Sequence, residues 1–200
     1  MCIRDRDGKG SIAILSKEGK ILNPAWVTGL NAPKGMAISS GKLYVTDIDH
    51  LIEIDLATSK ISNKWKVEGA QFLNDVAAYN GTVYFSDMNT GKIHAYTNGT
   101  IKTIAEGHTS INGLAVATDG TIHGLDASGL KKWNADGSST VVNPNVTDGD
   151  GLIILDNGSF VASRWIGEIW FATDSTQTLM LDTKGCLLYT SPSPRDRTRS

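Results

Sequence analysis

Cysteine is nearly missing from this chain. Two of the 200 residues are Cys, Cys2 and Cys186, and each sits in a terminal stretch that does not read as protein. "MCIRDR" at the start and "CLLYTSPSPRDRTRS" at the end resemble translated transposase sequencing-adapter DNA. Setting residues 1–6 and 186–200 aside as adapter-derived leaves 7–185, which we expect to be a single domain cut from a longer gene. With no thiol, that segment holds no disulfide framework and gives no reading of redox compartment. Basic charge is also short. The two ends carry five Arg and two Asp, and removing these from 19 basic and 21 acidic residues leaves 14 against 19, a net charge of −5. That balance argues against a nucleic-acid partner. No apolar run approaches the roughly 18 residues that span a bilayer, so no membrane span is expected in the segment. No P-loop, zinc-ligand spacing or nucleophile elbow occurs, and His50, His94, His108 and His123 are scattered along the chain.

Helical periodicity is the last absence. No segment sustains an i, i+3, i+4 apolar pattern, and Val, Ile, Thr and aromatic residues fill the intervals between turns. What is present is a repeat. "KGMAISSGKLYVTDIDHLIEIDL", "NDVAAYNGTVYFSDMNTGKIHAYT", "NGLAVATDGTIHGLDASGLKKWNAD" and "DGLIILDNGSFVASRWIGEIWFATD" follow one order of strand, Gly-bearing turn, strand, turn, strand. A fourth strand follows in "KISNKWKV", "GTIKTIAE" and "SSTVVNPN". Four antiparallel strands at a period of roughly 40 residues make a propeller blade. Asn80-Gly81, Asn98-Gly99, Asp119-Gly120, Asp136-Gly137 and Asn157-Gly158 carry residues that tolerate the positive φ of tight hairpins. "GSIAILSKEGKILNPAW" reads as the third and fourth strands of a preceding blade, for about four and a half blades in all. Asn80, Asn98, Asn145 and Asn157 also satisfy N-x-[ST], but a hairpin wants the same residues, and we read them as turns.

The first strand of a propeller blade lines the central channel, so equivalent positions at its start converge near the axis. Here those positions are Lys34, Asn74, Asn112 and Asp150, the last three at intervals of 38. Two amide oxygens and one carboxylate form a partial site for a hard divalent cation. The same residues would equally serve as hydrogen-bonding groups in a wet channel. Lys34 either meets an anionic substrate or pairs with Asp150 in place of a metal. Asp47, Asp87 and Asp126 end the second strand of successive blades, where a turn needs an acceptor. The fourth blade breaks that pattern with "SRWIG", which makes Arg164 and Trp165 candidate rim contacts. Asp148 is a candidate supporting neighbour for Asp150. "DGDGLIILDNG" is not an EF-hand loop, because Leu152 falls at a ligand position.

"FLNDVAAYNGTVYFSD", "INGLAVATDG" and "DGDGLIILDNGSFVAS" resemble the central blades of the senescence-marker-protein, gluconolactonase and luciferin-regenerating-enzyme-like family of six-bladed β-propellers. "GLNAPKGMAISSGKLYVTDID" is similar to a bacterial branch of it. Strictosidine-synthase-like and paraoxonase-like propellers use similar lines. The resemblance implies an all-β fold and a channel cation, calcium, manganese or zinc, held by Glu, Asn, Asn and Asp. Asn74 and Asn112 match the two Asn ligands, and Asp150 matches the Asp that doubles as general base in lactone or ester hydrolysis. The matching Glu would precede residue 7, so the segment is expected to hold an incomplete or inactive form of that site. Two positions depart from the family: Phe72 stands where sugar lactonases carry a substrate-binding Arg, and Ile111 where a Pro is usual. Phe72 implies a less polar substrate, or none. The expected partner is a small molecule, with a protein partner for a non-catalytic propeller as the competing class. The expected compartment is periplasmic or secreted.

Overall fold

The computed structural model describes residues 8–134 and 136–183. The adapter-like stretches 1–6 and 186–200, and the junctions at 7 and 185, lie outside them. Strands β1 (Gly10–Leu15) and β2 (Ile21–Leu30) form a two-stranded antiparallel sheet. Four four-stranded sheets follow, each a meander in which successive strands pair. The first holds β3 (Pro33–Ser39), β4 (Lys42–Asp47), β5 (His50–Asp55) and β6 (Lys60–Lys66). The second holds β7 (Leu73–Tyr79), β8 (Thr82–Asp87), β9 (Lys92–Thr97) and β10 (Thr100–Ala105). In the third are β11 (Leu114–Val116), β12 (Ile122–Asp126), β13 (Gly129–Trp133) and β14 (Ser139–Asn143), and in the fourth β15 (Gly149–Ile154), β16 (Phe160–Arg164), β17 (Glu168–Ala172) and β18 (Gln177–Asp182). This is an all-β arrangement of a half blade and four β-propeller blades.

The core lies between blades rather than inside any one of them. A strand offers alternate side chains to its two faces, and each blade face packs against the next sheet. Ile12, Val27 and Leu30 of the half blade meet Val45, Ile52 and Ile54 of the first blade. Tyr44 and Leu51 meet Leu73, Phe85 and Tyr96 of the second. Ile93 meets Leu114 and Trp133, and Leu125 and Leu130 meet Leu152 and Phe160.

The turns separate into two kinds. At Asn80-Gly81 and Asn98-Gly99 both residues have positive φ, with Asn at 46° and 48°, as a two-residue type I′ hairpin requires. At Asp119-Gly120, Asp136-Gly137 and Asn157-Gly158 only the Gly is left-handed. There the carboxylate or amide accepts the N–H two residues on, as Asp119 does from Thr121 at 2.8 Å. Ser40-Gly41 forms a further turn with both residues left-handed.

Candidate functional site

A β-bulge aims Lys34, Asn74 and Asp150, and Asn112 stands at the equivalent place just before β11, where its N–H donates to the Leu125 carbonyl at 2.9 Å and the Leu125 N–H donates to the Gly113 carbonyl at 3.0 Å. The register of β3 with β4 runs Pro33↔Asp47 and then Met36↔Val45, so Lys34 and Gly35 together oppose Thr46 alone. On β7 the pairs Leu73↔Asp87 and Val76↔Phe85 leave Asn74 and Asp75 opposite Ser86. On β15 the pairs Gly149↔Arg164 and Leu152↔Ala162 leave Asp150 and Gly151 opposite Ser163. An extra residue bends a strand and redirects its side chains, which turns the first bulge residue toward the axis. Gly at the second bulge position lets neighbouring inner strands close up. A Cβ on Gly35 would come within 2.6 Å of the Asn74 carbonyl oxygen, and one on Gly113 within 2.6 Å of the Asp150 carbonyl oxygen.

These approaches bring three of the four channel side chains into one hydrogen-bonded run. Asn74 Nδ2 donates to Asn112 Oδ1 at 2.8 Å, and Asn112 Nδ2 donates to Asp150 Oδ1 at 3.0 Å. The run faces a cavity of about 510 Å³ whose wall also includes Lys34, Phe72, Met88, Asp148 and Trp165. Lys34 does not reach Asp150. Its ammonium lies 5.5 Å from the centroid of the Phe72 ring, within cation–π range, and among the described residues it makes no ion pair. Trp165 is 64% exposed at the rim. Asp148 has a φ of 55° and accepts a 3.4 Å bond from the Thr147 hydroxyl.

Arg164 points elsewhere. It is not part of the cavity wall; its Nε donates to the Thr147 carbonyl at 2.8 Å and Nη2 to that of Asn145 at 3.3 Å, while Nη1 pairs with Glu168 at 3.0 Å. The guanidinium also lies 4.9 Å from the Trp170 ring. Asp47 and Asp87 hold the equivalent loops of the first and second blades by accepting their amides. Asp47 takes Asn31 N and Ala32 N at 2.8 and 2.6 Å, and Asp87 takes Gln71 N and Phe72 N at 2.9 and 3.0 Å. Arg164 does the same work with the polarity reversed, gripping carbonyls instead of amides.

Two features escape a reading of the sequence. Asp75 lines the cavity at the position where the other three inner strands carry Gly35, Gly113 and Gly151. Its Oδ2 accepts the Leu114 backbone N–H at 2.8 Å, bridging to the next blade. Desolvation pushes its carboxyl up to about 6, and the nearby Asp150 charge adds to the shift. The repeat alignment holds the signal, an acid where its counterparts are all Gly. Asp126, also on the cavity wall, joins a buried cluster: Lys131 Nζ lies 2.6 Å and His108 Nδ1 3.5 Å from its Oδ2. Trp133 Nε1 donates to His108 Nε2 at 2.9 Å, which fixes a neutral imidazole, and burial lowers the His108 pKa. These residues meet only through the fold.

No family model matches the chain, and no curated protein does. Among solved structures it is similar to a streptogramin B lyase at 15% identity and a TM-score of 0.62, over 74% of this chain and 53% of that one. It is similar to a catalytically inactive virginiamycin B lyase from Staphylococcus aureus with quinupristin at 14% identity and a TM-score of 0.65, over 88% and 64% of the two chains. A chain of a nidogen/laminin complex matches at 12% identity and a TM-score of 0.73, over 86% and 74%. The chain thus spans about half to two thirds of the lyases it matches. These neighbours are β-propellers, and at such identities they show the fold alone.

Proposed function

We propose that the channel mouth is the active site of a divalent-cation-dependent lactone or ester hydrolase in a propeller of the gluconolactonase-like kind. The observation that carries this reading is the run Asn74–Asn112–Asp150 facing a cavity of about 510 Å³. The residues fit a hard cation. All three side chains supply oxygen, Asn112 lies within hydrogen-bond distance of both Asn74 and Asp150, and turning an amide over presents its oxygen in place of its nitrogen. That donor set suits calcium or manganese better than zinc, which favours nitrogen and sulfur. Asp150, Asn74 and Asn112 would hold the ion, which when bound polarises a carbonyl and acidifies water.

The chain's own residues then divide the remaining work. Asp150 takes the proton of the attacking water as general base. Asp75, with its carboxyl near 6, adds partial negative charge beside the ligands. Phe72, Met88 and Trp165 hold the apolar body of the substrate against one wall and limit the entry of water. Lys34, resting on Phe72, stands where it meets an anionic group on that substrate. The test is calorimetric titration of the intact parent protein with calcium and manganese, alongside turnover of a panel of aliphatic and aryl lactones. Tight binding and turnover that both vanish in Asp150→Ala are expected. No response at millimolar calcium or manganese would overturn the reading.

A second reading, a non-catalytic propeller that binds a small ligand or a protein on its channel face, is favoured by one observation. The two amides and Asp150 already bond to one another in a run without an ion. A propeller neighbour solved in a protein complex makes a protein partner plausible. Retention of a ligand without turnover in the same experiments supports it.

A further inference from the structure

The residue opposite each of the three bulges carries a hydroxyl. Thr46, Ser86 and Ser163 stand on β4, β8 and β16, and each accepts the amide of the second bulge residue of its own blade. The donors are Gly35 N at 3.1 Å, Asp75 N at 3.0 Å and Gly151 N at 2.9 Å. Thr46 and Ser86 then reach across the blade boundary. The Thr46 hydroxyl donates to the carbonyl of Asn74, and the Ser86 hydroxyl donates to the carbonyl of Asn112 at 2.8 Å. Both are completely buried. A hydroxyl has one proton, so each accepts from the bulge of its own blade and gives to the channel residue of the next. The third blade has Leu125 at this position, fully buried against the Leu130–Leu152 cluster. A blade therefore folds with an apolar residue there, and propeller architecture alone does not call for the hydroxyl.

We propose that Thr46 and Ser86 are positioning residues of the channel site, each setting from the preceding blade where Asn74 and Asn112 stand. The inference rests on the channel-site reading above. It accounts for which positions carry the link: both hydroxyls hold the backbone of an amide residue, and the amides are the members of the run whose orientation decides whether oxygen or nitrogen faces the cavity. Asp150 presents oxygen in either orientation. Its strand is set instead by close packing of the Leu125 side chain against Gly149, where an added Cβ would lie 2.4 Å from Leu125 Cδ1.

The test has two readouts on the full chain. Without metal, the Asn112 side-chain NH2 resonances report its bonds to Asn74 and Asp150. With terbium as the probe ion, sensitised luminescence gives an affinity. Ser86→Ala should move the Asn112 resonances and weaken terbium binding about ten-fold, as loss of a group orienting a ligand does. Ser86→Thr, which restores the hydroxyl in the form Thr46 already uses, should recover both. A variant with a lowered melting temperature but unmoved Asn112 resonances and unchanged terbium affinity would overturn the proposal. If the unaltered chain binds no terbium, the Asn112 resonances alone decide the positioning role, and the cation reading is decided separately by the titration of the intact parent protein. Should Ser86→Ala not fold, Ser86→Cys keeps the shape with a much weaker donor and takes its place.

Discussion

Gly113→Ala puts the close approach of the inner strands under direct test. The added Cβ would lie 2.6 Å from the Asp150 carbonyl oxygen and 3.0 Å from both Gly151 C and Leu152 N. All three atoms are backbone, so no side chain can swing aside. Reaching an ordinary contact of 3.4 Å asks one strand to move by about 0.8 Å, and overpacking of this kind costs about 1–3 kcal/mol. For a chain of this size, about 2 kcal/mol lowers the melting temperature by about 4–8 °C. The same displacement separates Asn112 from Asp150, whose 3.0 Å bond would stretch beyond hydrogen-bond range. The assay pairs thermal melting with the Asn112 side-chain NH2 resonances. Gly81→Ala is the comparison: it meets nothing within 4 Å but has a φ of +78°, so it costs about 1–2 kcal/mol in backbone strain and leaves the channel alone. If Gly113→Ala melted like the unaltered chain, or moved the Asn112 resonances no more than Gly81→Ala does, the inner strands would not be as close as described and the site would lose its geometric basis.

Asp75→Asn should stabilise the metal-free chain at neutral pH and leave it little changed below pH 4. A carboxyl near 6 when folded against 3.8 when free favours the folded state while protonated, and that contribution, about 3 kcal/mol, is lost as pH rises through 6. Unfolding by urea at a series of pH values checks the sign, and parallel profiles for the two proteins would refute it. Asp87→Ala should destabilise by roughly 3–5 kcal/mol, because its buried carboxylate accepts the amides of Gln71, Phe72, Asn89 and Thr90. A shift in the urea midpoint equivalent to less than about 1 kcal/mol would contradict that role.

The repeat was legible because its physics is local. Strand periodicity, Asn-Gly turns and the 38-residue interval all lie in one line of sequence, and they were enough to place Asn74, Asn112 and Asp150 on one ring. What escaped depends on partners from other blades. "Asn-Asp" at 74–75 reads as one polar pair, yet the first residue faces the channel while the second bonds to Leu114 on the next strand. Arg164 breaks a run of aspartates, which drew it toward the rim as a ligand contact. The loop it holds presents carbonyls rather than amides, and a cation is the group that binds them. Thr46 and Ser86 look like ordinary strand residues, since the atoms that give their hydroxyls a purpose are 28 and 26 residues away.

Lys34 shows how the ring is balanced. In the register of the repeat it takes the place of an oxygen donor, and an ion pair with Asp150 would have neutralised the one formal charge among the three candidate ligands. Its ammonium lies over the Phe72 ring instead, 5.5 Å from the centroid. The described contacts of Asp150 use a single carboxylate oxygen, bonded to Asn112. Asp75 stands beside it with its proton held more tightly than usual, because its carboxyl is buried and ionising both carboxyls together is unfavourable. Under the proposed cation reading, a channel that places two carboxyls here and keeps its own lysine from them would leave Asp150 open to a positive charge from outside the chain.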